Sequence, residues 1–106
     1  QLIRQLINEC MDLNQLHMRV PETMINVNDS YTGMGYGVMG DPEVESIRLF
    51  AKHEGLLLDP VYTGRAAAGM IDLIRKGFFR KEDKVLFWHT GGTPALFAEP
   101  YLSQLQ

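Results

Sequence analysis

The chain has 106 residues and a formal charge of −3, with acidic and basic side chains interspersed and the composition of an ordinary soluble globular protein. There is no basic stripe for nucleic acid, no cationic face for a membrane surface, no signal-peptide pattern, and no apolar run near the ~20 residues that span a bilayer. Cys10 is the only cysteine, so no internal disulfide is possible, which fits a cytoplasmic location.

Residues 1–16 place Leu2, Ile3, Leu6, Ile7, Cys10, Leu13 and Leu16 on one helical face, with Cys10 as a small buried hydrophobe. His17 follows as a surface or helix-end residue. Pro21 breaks the pattern, and Thr23–Asn28 alternates as a short strand. The loop Asp29–Gly40 holds four glycines (33, 35, 37 and 40) and Tyr31 and Tyr36. Its spacing is neither a dinucleotide fingerprint nor a P-loop, so a tyrosine-bearing wall or lid over a pocket fits better than a phosphate cradle.

Asp41 and Pro42 read as the N-cap and first position of a helix running to about Glu54, with Val44, Ile47, Phe50 and Ala51 facing inward and Gly55 ending it. Leu56–Leu58 reads as a buried strand, stopped by Asp59-Pro60. Thr63 is an N-cap candidate for the next helix, and Gly64 leaves room for close backbone approach. That helix presents Ala67, Met70, Ile71, Ile74 and Phe78 as its buried stripe, pairs Asp72 with Lys76, and ends at Gly77. Arg80–Lys84 is a solvated charged turn. Val85–Trp88 is a continuous apolar run that reads as a central parallel strand, with Trp88 in the core. His89-Thr90-Gly91-Gly92-Thr93-Pro94 makes a second strand-to-turn exit, His89 being read as a buried, hydrogen-bonded side chain rather than a base. Ala95–Leu105 gives a short apolar helix or tail.

These elements predict an α/β protein. Three loops, Tyr31–Gly37, Asp59–Gly64 and His89–Thr93, converge at one sheet edge, where open α/β sheets hold ligands. They carry hydroxyls and glycines but little charge, which suits a ligand that brings its own chemistry. No His/Cys metal cluster and no Ser-His-Asp order is present. Gln1 falls inside a helical pattern without a cap, and too few strands are legible for a covered sheet. Residues 1–106 are therefore expected to be a carboxyl-terminal fragment, most of one domain and incomplete, whose partner is the missing amino-terminal part of the same protein.

The stretches YTGMGYG, EGLLLDPVYTGRAAAGMIDLIRKGFF and VLFWHTGGTPALF resemble the carboxyl-terminal part of the pyridoxal-phosphate enzyme family that holds D-cysteine desulfhydrase and 1-aminocyclopropane-1-carboxylate deaminase. The match runs over roughly residues 23–98. The resemblance implies a tryptophan-synthase-β-like (fold type II) architecture, of which this chain would hold a partial, mostly parallel twisted sheet with flanking helices. It implies pyridoxal 5′-phosphate as cofactor, a small amino acid as substrate and cofactor-binding roles for Thr90, facing the pyridine nitrogen, and for Gly91. It puts Tyr36 and Tyr62 beside the substrate as binding and catalytic groups, leaving open which is acid and which is base. The intact protein is expected to be a homodimer, without nucleic-acid or membrane partners.

The deaminase pattern has a glutamate directly after the turn tyrosine; this chain has Thr63, a substrate-binding position by the resemblance. That favours desulfhydrase-like α,β-elimination, in which D-cysteine gives pyruvate, ammonia and hydrogen sulfide. Arg65 stands where a lysine is more usual, and Asp41 where a glutamate is. The Schiff-base lysine motif and the glycine-rich phosphate cup are absent, and Lys52, Lys76, Lys81 and Lys84 do not match that lysine's setting. The fragment alone is expected to be inactive. Alternatives are the deaminase itself, a noncatalytic module that retains the fold, and, less well matched, a small nucleotide-binding α/β domain.

Overall fold

Helix formation in this chain follows its punctuation. The computed structural model describes all 106 residues and contains four α-helices: α1 (Leu2–Leu13), α2 (Asp41–Glu54), α3 (Thr63–Arg75) and α4 (Tyr101–Leu105). Two 3₁₀ turns, Glu22–Met24 and Thr93–Phe97, complete the regular structure. Gly55 ends α2 at φ +66°, in the left-handed region that favours glycine. At the end of α3 the Gly77 and Phe78 amides donate to the Ile74 and Leu73 carbonyls, the paired bonds of a Schellman cap. No helix is long and apolar enough to cross a membrane.

The expected α/β architecture is overturned, because the chain is helical and has no strand. Thr23–Asn28, Leu56–Leu58 and Val85–Trp88 all lack a ladder. A strand is stabilised by pairing with a neighbour, and these segments do not pair with one another. The Leu57 carbonyl instead accepts side-chain bonds from His89 and Thr93. The partial parallel twisted sheet implied by the resemblance is therefore not present, and the three loops meet without a sheet edge between them.

The organising contact is α2 against α3. Ile47 and Ala67 are its buried apolar centre, extended by Leu58, Met39 and Leu96, with Val44, Phe50, Phe87, Tyr101 and Leu105 packed around them. The face of α3 that meets α2 is built from small residues, Gly64 and Ala67, which lets the backbones come close. The buried Ser46 hydroxyl donates to the Gly64 carbonyl at 2.7 Å. Arg75 grips Glu45 through both guanidinium nitrogens at 2.6 and 3.0 Å, an exposed pair of modest worth. At the far end the Tyr101 hydroxyl donates to the Gly37 carbonyl, and Arg48 donates to the Leu105 carbonyl.

Several burial expectations are corrected by this packing. Ile74 and Phe78 are exposed, because the small-residue face of α3 takes the place against α2. Ala51 is exposed at the outer end of α2. Trp88 is 75% exposed, since the segment it ends has no covering layer. Cys10 is exposed, and no residue of α1 is fully buried: Ile7, Asn8 and Met11 are half-covered and the rest of the helix is open to solvent. The radius of gyration, 16.2 Å, exceeds the ~13 Å of a compact domain this size, as expected when one helix stays outside the core.

Gly64 is the tightest point of the α2–α3 contact. A Cβ there would lie 2.6 Å from the Asp59 carbonyl oxygen and 3.1 Å from Ile47 Cγ1. Gly64→Ala is therefore expected to lower stability by about 2 kcal/mol, the cost of overpacking against an unyielding backbone atom. Urea unfolding followed by circular dichroism at 222 nm measures it.

Candidate functional site

A cleft of about 870 Å³ runs along the side of α3 that faces away from α2, and its lining includes Ala66, Met70 and Leu73. The glycine-rich loop contributes Tyr31, Thr32, Gly35 and Tyr36; the turn before α3 contributes Val61, Tyr62 and Thr63; the extended segment gives Val85–Trp88 and Thr90. Four of the five expected site residues, Tyr36, Tyr62, Thr63 and Thr90, thus share one cleft. Gly91 lies outside it: its amide donates to Nδ1 of His89 at 3.1 Å. Because Nδ1 accepts that bond, the neutral His89 ring carries its proton on Nε2, which donates to the Leu57 carbonyl at 3.1 Å. His89 is therefore hydrogen-bonded as expected, but it is exposed rather than buried.

The turn beneath the cleft is held by Asp59, whose role was not evident from the sequence. Its carboxylate, with no exposed surface, accepts the amides of Val61, Tyr62 and Thr63 and the Thr63 hydroxyl, all at 2.6–2.8 Å. The Asp59 amide returns a 2.8 Å bond to the same hydroxyl. The N-cap of α3 is Tyr62 rather than Thr63, and the capping carboxylate stands three residues further back. Likewise Gly40, not Asp41, caps α2, its amide donating to the Glu43 carboxylate at 3.0 Å. The signal for the Asp59 cap was the spacing Asp-Pro-x-x-Thr, in which proline fixes the bend and threonine returns the bond. Thr63 is only 2% exposed and its hydroxyl is engaged by Asp59. It shapes the wall and has no free hydroxyl to offer a substrate.

Burial alone would raise the Asp59 pKa, but the Thr63 hydroxyl and the three amides outweigh burial and hold the carboxyl below the usual aspartate range.

Tyr36 and Tyr62 meet across the mouth of the cleft. Their hydroxyl oxygens are 2.6 Å apart and their rings pack edge to face with centroids at 5.9 Å. Both remain open to solvent, Tyr36 at 80% and Tyr62 at 57% exposure. The bond to Tyr36, then burial and the charge of Tyr36 and Asp59, push the Tyr62 phenol above the usual tyrosine range. Deeper in the cleft, the Tyr31 hydroxyl donates to Asp72 at 2.6 Å, and Lys76 reaches the same carboxylate oxygen. That bond first, then burial and the Asp72 charge, raise the Tyr31 phenol as well.

For a pyridoxal-phosphate ring the lining offers the Thr90 hydroxyl and the aromatic side chains of Trp88 and Tyr36. It offers nothing to the aldehyde or the phosphate: no lysine lines the cleft, and its one guanidinium, Arg65, is held by Glu43 and three carbonyls. The residues present fit the ring edge and an amino-acid substrate, and do not fit the whole cofactor. No group of three or more His, Cys, Asp or Glu side chains comes together to hold a metal ion.

Asp59→Asn should orphan part of the cap and cost about 3 kcal/mol, read by urea unfolding at pH 7. Because the folded pKa of Asp59 is lowered, its contribution is complete above about pH 4 and is lost as pH falls through the folded value. The difference between wild type and Asp59→Asn should accordingly narrow on acidification, which unfolding curves from pH 7 to pH 2.5 measure. Tyr36→Phe should return the Tyr62 transition toward about 10 in a tyrosine titration. No protein-family model matches the chain.

Proposed function

We propose that this chain supplies the substrate-facing and ring-facing wall of a pyridoxal-phosphate-dependent lyase of the D-cysteine desulfhydrase kind, whose Schiff-base lysine lies outside these 106 residues. The observation that carries the proposal is the phenol pair, Tyr36 Oη to Tyr62 Oη at 2.6 Å, on a cleft that Thr90 also lines. The reaction in view is D-cysteine plus water to pyruvate, ammonia and hydrogen sulfide. The bound cofactor supplies the electron sink for that chemistry.

The chain's own residues have three tasks in this reading. Tyr62 presents its hydroxyl to the carboxylate or departing sulfur of a small amino acid, and can donate there when Tyr36 is the donor within the pair. Tyr36 accepts from Tyr62 or donates to it, so a proton can pass between the two phenols without leaving the site. Thr90, on the cleft wall, would offer a neutral hydroxyl to the pyridine nitrogen, a partner that would favour ring protonation less than a carboxylate. The apolar run Val85–Trp88 lines the cleft and would shield one side of a bound ring from water. Ring opening of 1-aminocyclopropane-1-carboxylate is the alternative reaction. A binding module without chemistry is the second reading, favoured by the absence of a lysine from the cleft. The encoded reading frame separates it from the enzyme: an upstream segment with a lysine and a serine- or glycine-rich loop supports catalysis.

Trp88 is the sole tryptophan and lines the cleft, so its fluorescence reports occupancy. The probe is pyridoxamine, which has no aldehyde to label surface lysines and no phosphate, a group for which the cleft has no partner. Saturable quenching is expected, at least fivefold weaker in Thr90→Val, with no saturable response to ATP. Absence of saturable quenching, or an equal response to ATP, overturns the proposal. With pyridoxal phosphate and D-cysteine, the isolated 106-residue chain should release no sulfide.

A further inference from the structure

Arg65 points out of the first turn of α3 into the glycine-rich loop, and its side chain is only 15% exposed. Three loop carbonyls at three-residue spacing converge on its one guanidinium. Nη1 donates to Thr32 O at 2.6 Å and to Gly35 O at 3.0 Å; Nη2 donates to Val38 O at 2.6 Å. Nε donates to Glu43 Oε1 at 2.8 Å, which ties the same cation to α2. The loop is wound round the charge, and Tyr36 stands between two of the carbonyls so held.

Gly33 completes the fit. It adopts φ +63°, and a Cβ there would lie 2.8 Å from Nη2 of Arg65. The loop therefore approaches the guanidinium as closely as bare backbone allows. A lone ammonium could not reach carbonyls on three sides and a carboxylate at once, whereas a planar fork with five donors can. Apart from Arg65 and Tyr62, Gly35 and Tyr36 have no side-chain partner, and the Gly37 carbonyl is held from α4 by Tyr101.

We propose that Arg65 is a positioning residue: by gathering the carbonyls of Thr32, Gly35 and Val38 it brings the Tyr36 phenol onto Tyr62. The inference goes beyond the lyase reading, because the pair forms whatever small molecule the cleft receives. Arg65 itself touches neither phenol and acts only through the backbone.

The test uses the whole chain labelled with ¹³Cζ-tyrosine, with each phenol followed through its own NMR titration and assigned by Tyr→Phe variants. Arg65→Met keeps the length of the side chain and removes the donors. It is expected to bring the Tyr62 transition down to the value found in Tyr36→Phe, with no further change in the double variant Arg65→Met/Tyr36→Phe. Glu43→Gln removes the ion pair but leaves the carbonyl clamp, and should leave Tyr62 raised. Gly33→Ala, which displaces the guanidinium by a different route, should lower Tyr62 as Arg65→Met does and serves if that variant fails to fold. A raised Tyr62 in folded Arg65→Met or Gly33→Ala, or a Tyr62 lowered equally by Glu43→Gln, overturns the proposal.

Discussion

The buried carboxylate of Asp59 is the constraint on which the rest of this structure depends. Four donors from Val61, Tyr62 and Thr63 converge on it, and together they bend the chain from the extended Leu56–Leu58 segment into α3. Helix starts leave amides without partners, and the field of the helix favours a negative charge there. A single anion satisfies both demands, and in doing so it sets Tyr62 at the lip of the cleft. The same residue also supports the second loop: a Cβ on Gly92, whose φ is +88°, would lie 2.7 Å from Asp59 Cγ. The two loops that flank the cleft are therefore built on one side chain.

The helices were legible because their signals are local. Asp41–Glu54 and Thr63–Arg75 carry periodic apolar residues and end at glycines 55 and 77, both of which adopt positive φ. The strands were not legible, because a run such as Val-Leu-Phe-Trp states a preference whose fulfilment rests on a neighbour. Such a run has the same sequence whether or not anything pairs with it. Trp88 shows the cost of that inference: its placement in a core assumed a covering layer that the chain does not provide. The buried stripe of α3 was misjudged for a related reason. Size suggested Ile74 and Phe78, whereas the need for close helix approach selected Gly64 and Ala67.

The loops grouped from the sequence do converge, but for a different reason from the one expected. Tyr36, Tyr62 and Thr90 do line one cleft, but α3 and two hydrogen-bonded turns bring them there instead of a sheet edge. Thr63 was expected to face substrate and instead faces Asp59. The Arg65 clamp was invisible, because carbonyls at positions 32, 35 and 38 carry no signature in side-chain identity. What distinguishes them is only the way the backbone winds, and glycines permit that winding without announcing it.

The uncovered segment Val85–Trp88 bears on how this polypeptide behaves in concentrated solution. Val85, Leu86 and Trp88 are exposed, rich in β propensity and free of charge, which is the composition that stacks between copies. Directly before it stands Arg-Lys-Glu-Asp-Lys, positions 80–84, and soon after it Pro94. Charges and proline beside an unavoidable sticky run act as gatekeepers, raising the cost of bringing a second copy into register. The solvated charged turn between α3 and the aromatic segment thus raises the cost of self-association through that segment.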